Sequence, residues 1–137
     1  MTATETLFTW DSEVRGYELD AQGIVNNAHY LHYFDHVRIK QLYYLGIDWD
    51  EWHNNGLDLV LVHVDMSIKH SLRPHDDFQI TSSIERSGKI KILFTQRILK
   101  NPGSILVAEA RNTVVCVSNK TGRPVFPKEL EEKLFKT

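Results

Sequence analysis

The sequence is poor in the features that would place it in a specialised class. It contains one cysteine in 137 residues, which excludes an internal disulfide and a cysteine metal cluster. No apolar run approaches membrane-spanning length, so no membrane insertion is expected. The start of the chain lacks the basic region and apolar stretch of a secretory signal, which predicts a cytoplasmic protein.

A general excess of positive charge is missing as well. The formal net charge is -2, which argues against a nucleic-acid binder that relies on a basic field. Hydrophobic residues make up 42% of the chain and charged residues 25%, the balance of an ordinary globular protein. We therefore expect a single domain over residues 1–137.

The longest periodic segment predicts one helix over residues 28–45. Its apolar residues recur at intervals of three and four, as in Tyr30, Phe34 and Val37. Asn26 or Asn27 is a candidate N-cap, since an Asn side chain accepts a hydrogen bond from an early amide. A glycine at 46 suits the position just after the last turn.

A carboxylate precedes this helix by a few residues. Asp20 comes first, and Gly23 marks a turn before the helix begins. The first amides of a helix lack intrahelical partners and carry partial positive charge. A carboxylate beside them could activate water next to a polarised carbonyl, although a turn or capping role is the alternative on spacing alone.

Segments of period two predict five strands, one before the helix and four after it. Short turns between the later strands favour antiparallel neighbours, and residues 105–118, apolar on both parities, predict a central strand. We expect an α+β fold in which the open sheet edges favour a homodimer or homotetramer. Residues 48–58 predict a loop with one helical turn, residues 127–136 a tail helix, and the strands cover residues 7–14, 60–69, 78–84, 90–98 and 105–118.

The stretch D-A-Q-G-I-V-N-N-A-H-Y at residues 20–30, followed by L-H-Y-F-D at 31–35, resembles a known family. It is similar to the hotdog-fold acyl-CoA thioesterases of the 4-hydroxybenzoyl-CoA thioesterase type. The resemblance extends over nearly the whole chain, including V-V-C-V at 114–117 and T-G-R-P at 121–124. It implies an antiparallel sheet of about five strands wrapped around one long helix, with active sites shared between two subunits.

The same resemblance implies hydrolysis of an acyl-CoA, with acyl carrier protein as a second carrier and no metal or other cofactor. Asp20 stands at the family's catalytic carboxylate. Asn27 stands where the family uses a backbone N–H at the helix start to bind the thioester oxygen. Further substrate contacts are expected from the residues between and beside them: Gly23, Val25, Asn26 and Tyr30.

Two positions depart from the pattern of many relatives. Ile24 stands where some carry His, and Asn27 stands where others carry His or Tyr. Asp20 would therefore act without a neighbouring imidazole, either as general base toward water or as direct nucleophile. The resemblance leaves both routes open, and it does not reveal the acyl group.

A small basic hairpin is the expected holder of the nucleotide. Arg86, Ser87 and Lys89 surround a glycine turn, and Arg and Lys bind phosphates well. The family tends to hold the nucleotide portion near this turn. An ordinary solvated hairpin tip explains the same residues equally well.

Three other interpretations compete with the thioesterase. His29, His32 and His36 share one helical face and could bind zinc, although a half-exposed face at a subunit boundary accounts for them better. A non-catalytic acyl-CoA sensor on the same fold would bind without turnover. A hotdog dehydratase or hydratase would need an acid–base pair that usually includes His, which the motif lacks.

Overall fold

One long helix lies across a five-stranded sheet in the computed structural model, which describes residues 7–135. The helices are α1 (Asn27–Tyr44), α2 (Trp49–Asn54) and α3 (Lys128–Phe135). The strands are β1 (Phe8–Glu13), β2 (Leu57–Ile68), β3 (Asp77–Ser87), β4 (Lys91–Asn101) and β5 (Ile105–Ser118). All strand pairs are antiparallel, which confirms the α+β hotdog arrangement.

The periodic helix is confirmed, and its ends are those that the sequence predicts. Asn26 is the N-cap, because its side chain accepts a hydrogen bond from the Ala28 amide at 2.9 Å. Gly46 follows the last turn with a positive φ of 89°, a conformation that glycine adopts without strain. The predicted turn within residues 48–58 is α2, and the tail helix is α3; Lys136, in the predicted tail, lies outside the described residues.

The connection between β2 and β3 corrects the expectation that short turns join neighbouring strands. The sheet order is β1-β3-β4-β5-β2, so β2 pairs with β5 and leaves an open edge. Residues 69–76 cross three strand spacings, roughly 14 Å. Eight residues can span nearly twice that distance, so the segment passes over one end of the sheet, close to the start of α1.

A bulge in β2 corrects a second expectation. The sequence alternation places Val60, Val62 and Val64 on one face, but the pairing register shifts between Leu61 and His63. Leu61 pairs opposite Val114, so the first half of β2 turns its leucines toward the helix, whereas the second half turns Val64 inward. One extra residue exchanges the two faces of a strand.

The core consists of two apolar halves separated by a polar band. One half lies under the start of α1 and includes Phe34, Val37 and Phe78. The other lies under its end and includes Trp52 and Phe94. The band between them contains buried polar side chains from α1 and three strands: Arg38, Gln41, Ser82, Gln96 and Asn112.

Two further observations concern the length of the helices and the single cysteine. No helix within residues 7–135 is both long and apolar enough to cross a membrane. Cys116 is buried, and burial raises the pKa of its thiol to about 11, which is typical of a structural thiol. The residues examined for a secretory signal, 1–6, lie outside the described part of the chain.

Candidate active site

Asp20 is held in a tight turn by its own neighbours. Its carbonyl accepts a hydrogen bond from the Gly23 amide at 3.0 Å, and Gly23 has a positive φ of 76°. Its carboxylate Oδ1 accepts from the amides of Gln22 at 2.9 Å and Ile24 at 3.4 Å. Among the described residues, Oδ2 has no hydrogen-bond partner. One carboxylate oxygen therefore fixes the turn and the other is available.

The start of α1 offers one unpaired amide. The amides of Ala28 and His29 both donate to Asn26. The Ala28 amide donates to the Asn26 side chain, and the His29 amide donates to the Asn26 carbonyl at 2.9 Å. Asn27 is the first helical residue and its N–H has no acceptor within residues 7–135. The cap is Asn26, because its side chain accepts a helix amide whereas Asn27 already lies inside the helix.

The crossing segment between β2 and β3 fixes the turn to the helix. The Leu72 carbonyl accepts from the Val25 amide at 2.9 Å, and the Leu72 amide donates to the Tyr30 hydroxyl at 3.0 Å. Val25, Tyr30 and Leu72 are all buried. The Asn26 amide donates to the Glu18 carbonyl at 3.0 Å. The Asp20 turn and the start of α1 are thus both held by hydrogen bonds to Leu72 of the crossing segment.

The structure brings six of the predicted site residues together and leaves three apart. Residues 20–30 hold Asp20, Gly23, Val25, Asn26, Asn27 and Tyr30. The basic hairpin lies at the opposite end of β3, and Asp77 and Arg86 are about 30 Å apart along this strand. Within one chain, Arg86, Ser87 and Lys89 do not reach the Asp20 turn.

Arg86 is also engaged by its own chain. Its guanidinium pairs with Glu131 of α3, stacks over Phe126 at 3.8 Å and donates to the Lys89 carbonyl at 2.7 Å. These contacts attach α3 to the hairpin. The nucleotide-binding role of Arg86, Ser87 and Lys89 stays a prediction.

The histidine face of α1 lines a cleft on the β1 side of the helix. The rings of His29 and His32 are 5.3 Å apart, whereas His36 contacts Trp10 at 5.3 Å. Within residues 7–135 no group of three His, Cys, Asp or Glu side chains is placed to hold a metal ion. Burial and the nearby Lys40 lower the pKa of His36.

A buried acid forms the floor of this cleft, and the sequence did not single it out. Glu18 is 3% exposed and accepts hydrogen bonds from the Tyr33 hydroxyl and the Arg15 amide, both at 2.7 Å. Burial and the neighbouring Glu18 carboxylate raise the pKa of Tyr33 well above its usual range. The Glu18–Tyr33 hydrogen bond therefore joins the segment before the Asp20 turn to α1.

The β2 side of α1 carries a different opening, a groove that follows the helix away from Asn27. One part is lined by Leu31, Arg38 and Val64, and its cavity measures about 280 Å³. The continuing part is lined by Ile39, Trp49 and Leu59 and measures about 230 Å³. Five aromatic side chains of α1 and α2 are Tyr33, Tyr43, Tyr44, Trp49 and Trp52, and of these only Trp49 lines this groove.

The polar band beneath the groove was also missed, although the sequence carries a signal for it. Ser82, Gln96 and Asn112 each occupy an inward parity of a strand that is otherwise apolar. A polar residue on a buried parity in three strands indicates a polar layer inside the core. Strand order was needed to see that these positions are adjacent.

Comparison with known proteins agrees with this architecture. The pattern of the Thioesterase-like superfamily matches residues 14–134. The chain belongs to this superfamily. The acyl-acyl carrier protein thioesterase ATL3 of Arabidopsis thaliana is 35% identical over 122 residues, which are 88% of this chain. The chain spans only 64% of the length of ATL3.

A further relative and one solved structure each match nearly the whole chain. The long-chain acyl-CoA thioesterase FadM of Escherichia coli is 34% identical over 89% of this chain and 92% of its own. A 1,4-dihydroxy-2-naphthoyl-CoA thioesterase from Synechocystis superposes with a TM-score of 0.88 over 94% of this chain and 96% of its own. At 17% identity, this last likeness shows a shared hotdog fold.

Proposed function

We propose that this member of the Thioesterase-like superfamily hydrolyses acyl-CoA thioesters with Asp20 and the Asn27 amide. One observation carries the proposal: a carboxylate with one available oxygen is tied, through a shared segment, to a helix start with one unpaired N–H. A thioester needs an attacking oxygen and a donor for the developing oxyanion, and these two groups supply both. No cofactor is required.

In the first route, Asp20 acts as general base. It takes a proton from water, the resulting hydroxide attacks the thioester carbon, and the oxyanion accepts a hydrogen bond from the Asn27 N–H. The carbon–sulfur bond then breaks, and the CoA thiolate takes a proton from Asp20. A positioned base contributes about 10²–10⁴-fold and one oxyanion donor about 10²–10³-fold.

In the second route, the Asp20 carboxylate attacks the thioester carbon directly. The CoA thiolate leaves, an acyl–aspartyl anhydride forms, and water hydrolyses the anhydride. The two routes differ in the origin of an oxygen atom. In the second route, water that attacks the aspartyl carbonyl of the anhydride leaves its oxygen in Asp20. A single turnover in ¹⁸O-labelled water then labels Asp20, which the first route never does. Mass spectrometry of the peptide that contains Asp20 detects the label.

The names of the relatives point to two carriers of the acyl group. FadM is named for acyl-CoA and ATL3 for acyl carrier protein, so both thioesters are substrates to compare. The groove on the β2 side of α1 starts one helical turn after Asn27, at Leu31, and its walls are largely apolar. We propose that it accepts the acyl group.

We also propose a homodimer formed through the open β2 edge. This edge is twelve residues long and exposes Val60 and Val62 on the sheet face away from α1 and Val64 on the face toward Leu31. A long apolar edge favours pairing with another strand. A two-fold axis makes the two β2 strands antiparallel, which extends the sheet to ten strands.

The dimer has a consequence for the nucleotide. In one chain, the β3–β4 hairpin with Arg86 and Lys89 lies at the end of the sheet opposite Asp20. An antiparallel β2 pair reverses the ends of the second copy, so the partner's hairpin comes to the same end as Asp20. The nucleotide of CoA would then meet cations of the second subunit, which makes each site depend on both copies.

The experiment is thiol release from acyl-CoAs by the purified protein and by Asp20→Asn. We expect kcat to fall about 10²–10⁴-fold, since Asn cannot accept the proton or act as a nucleophile. Asp48→Asn is the matched control, because the Asp48 carboxylate also accepts two backbone amides, from Asp50 at 3.0 Å and Glu51 at 3.4 Å. It caps α2 and should leave turnover intact.

Near-normal turnover by Asp20→Asn would overturn the assignment of Asp20. Binding of acyl-CoA without release of CoA by the unmodified protein would favour a sensor. Parallel assays with acyl carrier protein carrying the same acyl group decide between the two carriers.

A further inference from the structure

The groove on the β2 side of α1 leads directly away from the proposed oxyanion donor. Asn27, Leu31, Asp35 and Arg38 are spaced by four, four and three residues, so they share one face of the helix. The opposite wall is formed by Leu61 and Val64 of β2. An acyl group bound at Asn27 would follow this face, and the inference below rests on that placement.

The floor of the groove holds a buried acceptor without a partner. Asn112 is 0% exposed and lines the 280 Å³ cavity. Its Nδ2 donates to Gln96 Oε1 at 2.8 Å, while its Oδ1 has no partner among residues 7–135. A buried acceptor is rarely left unpaired, because its lost hydration must be replaced.

Arg38 and Asn112 donate to the same acceptor, Gln96 Oε1. Arg38 is 6% exposed and lines the same cavity. Its guanidinium donates to Gln96 Oε1 at 3.0 Å and to Asp35 at 3.2 Å. A guanidinium has five N–H groups, so these two bonds leave donors that can face the groove. The cavity therefore contains a donor and an acceptor that both contact Gln96, and the rest of its lining is Leu31, His32, Asp35, Leu61 and Val64.

We infer that this floor binds a hydroxyl group carried by the acyl chain of the substrate. A hydroxyl both donates and accepts, so it can donate to Asn112 Oδ1 and accept from Arg38. A ketone or a carboxylate supplies no donor, and a plain alkyl chain leaves Asn112 Oδ1 without a donor. The substrate class is thus a hydroxylated acyl thioester.

The position of the hydroxyl follows from the helix. Asn27 and Asp35 are eight residues apart, roughly 12 Å along the axis. The Arg38 side chain leans toward the N-terminus of α1, as its contact with Asp35 shows. The Gln96 amide beside it donates to the Phe34 carbonyl at 3.1 Å, at the same level. The hydroxyl therefore lies roughly 12 Å from the thioester, near the end of a medium-length chain.

The test compares kcat/KM for acyl-CoAs with and without a terminal hydroxyl, over chains of about six to about sixteen carbons, a range that brackets a reach of roughly 12 Å. We expect the hydroxylated substrate to be preferred by at least about tenfold at one chain length and by little at shorter ones. The ratio is measured on one enzyme preparation, so differences in folding cancel.

The variant Asn112→Ala removes the acceptor and should bring that ratio close to one. Ser82→Ala is the matched control, since Ser82 belongs to the same buried polar band but does not line the groove. It should keep the ratio. If Asn112→Ala does not fold, the chain-length series on the unmodified protein still decides.

The outcomes separate this inference from the proposed function. Hydrolysis of both substrate series with no preference at any length would overturn the hydroxyl subsite and leave the thioesterase intact. No hydrolysis of either series would overturn the proposed function itself. A preference that survives Asn112→Ala would also contradict the inference.

Discussion

The two sides of the long helix differ in how their aromatic and apolar residues are covered. On the β1 side, Trp10 contacts His36 at 5.3 Å and lies under Lys40 at 5.8 Å, and Tyr17 contacts His29 at 6.5 Å. On the β2 side, Val62 of the edge strand is 53% exposed. The β1 edge strand has six residues and the β2 edge strand has twelve.

The contacts on the β1 side stabilise the fold, whereas the β2 side carries the surface to which we assign binding. On the β1 side, Trp10 contacts residues of its own chain and the buried Glu18–Tyr33 pair joins this side to the helix start, although Tyr17 stays 73% exposed. The β2 side keeps apolar surface open next to the groove that we assign to the acyl group. An open apolar surface of this kind marks a place where another molecule binds.

The largest effect is expected from charging the β2 edge. In Val60→Lys/Val62→Lys, like charges meet across the proposed two-fold axis, and the dimer should weaken by about 100-fold or more. Sedimentation measures the dissociation constant, and turnover should fall with the dimer. Thr9→Lys/Asp11→Lys on the β1 edge is the control and should leave association unchanged. Dimers of equal affinity in both variants would refute the β2 interface.

A smaller effect is expected from the buried pair on the β1 side. Tyr33→Phe removes the hydroxyl that donates to Glu18 and leaves a buried carboxylate with one fewer donor. We expect a loss of about 1–3 kcal/mol in the free energy of unfolding, measured by urea denaturation. Tyr43→Phe, at a side chain that is 67% exposed, should change it by less than about 0.5 kcal/mol. Equal losses would mean that the buried bond contributes nothing.

The smallest effect concerns pH and the cleft on the β1 side. Burial, Lys40 and Arg15 lower the pKa of His36 in the fold, while Asp35 opposes them. The unfolded chain then binds the proton more readily, so stability rises with pH through the usual His range and falls as pH drops below it. His36→Gln should reduce the fall in melting temperature between about pH 7 and about pH 5. An identical fall in the variant would remove His36 from this effect.

Much of the fold was predictable because its signals are local. The three-and-four periodicity predicted α1, Asn26 its cap and Gly46 its end. These features depend on residues within one or two turns. The partner of β2 was not predictable in this way, because the crossing at residues 69–76 and the bulge at Leu61 depend on contacts with distant strands.

The candidate site also combines local features, which the sequence indicates, with contacts between distant residues, which it does not. The turn from Asp20 to Gly23 and the unpaired Asn27 amide arise within eight residues of each other, so the sequence indicated both. Leu72 joins them from the crossing segment, more than forty residues away. The hairpin at Arg86 was grouped with the site by resemblance, and the sheet places it at the far end.

The sequence by itself determined the helix, its ends and the turn that precedes it, because hydrogen bonds over a few residues define a turn and a cap. Only the tertiary structure decided which strand has an open edge and which polar residues meet beneath the groove. Arg38, Gln96 and Asn112 come from one helix and two strands, and only packing brings them within hydrogen-bond distance. The same packing placed the histidine cleft on one flank of α1 and the groove beside β2 on the other.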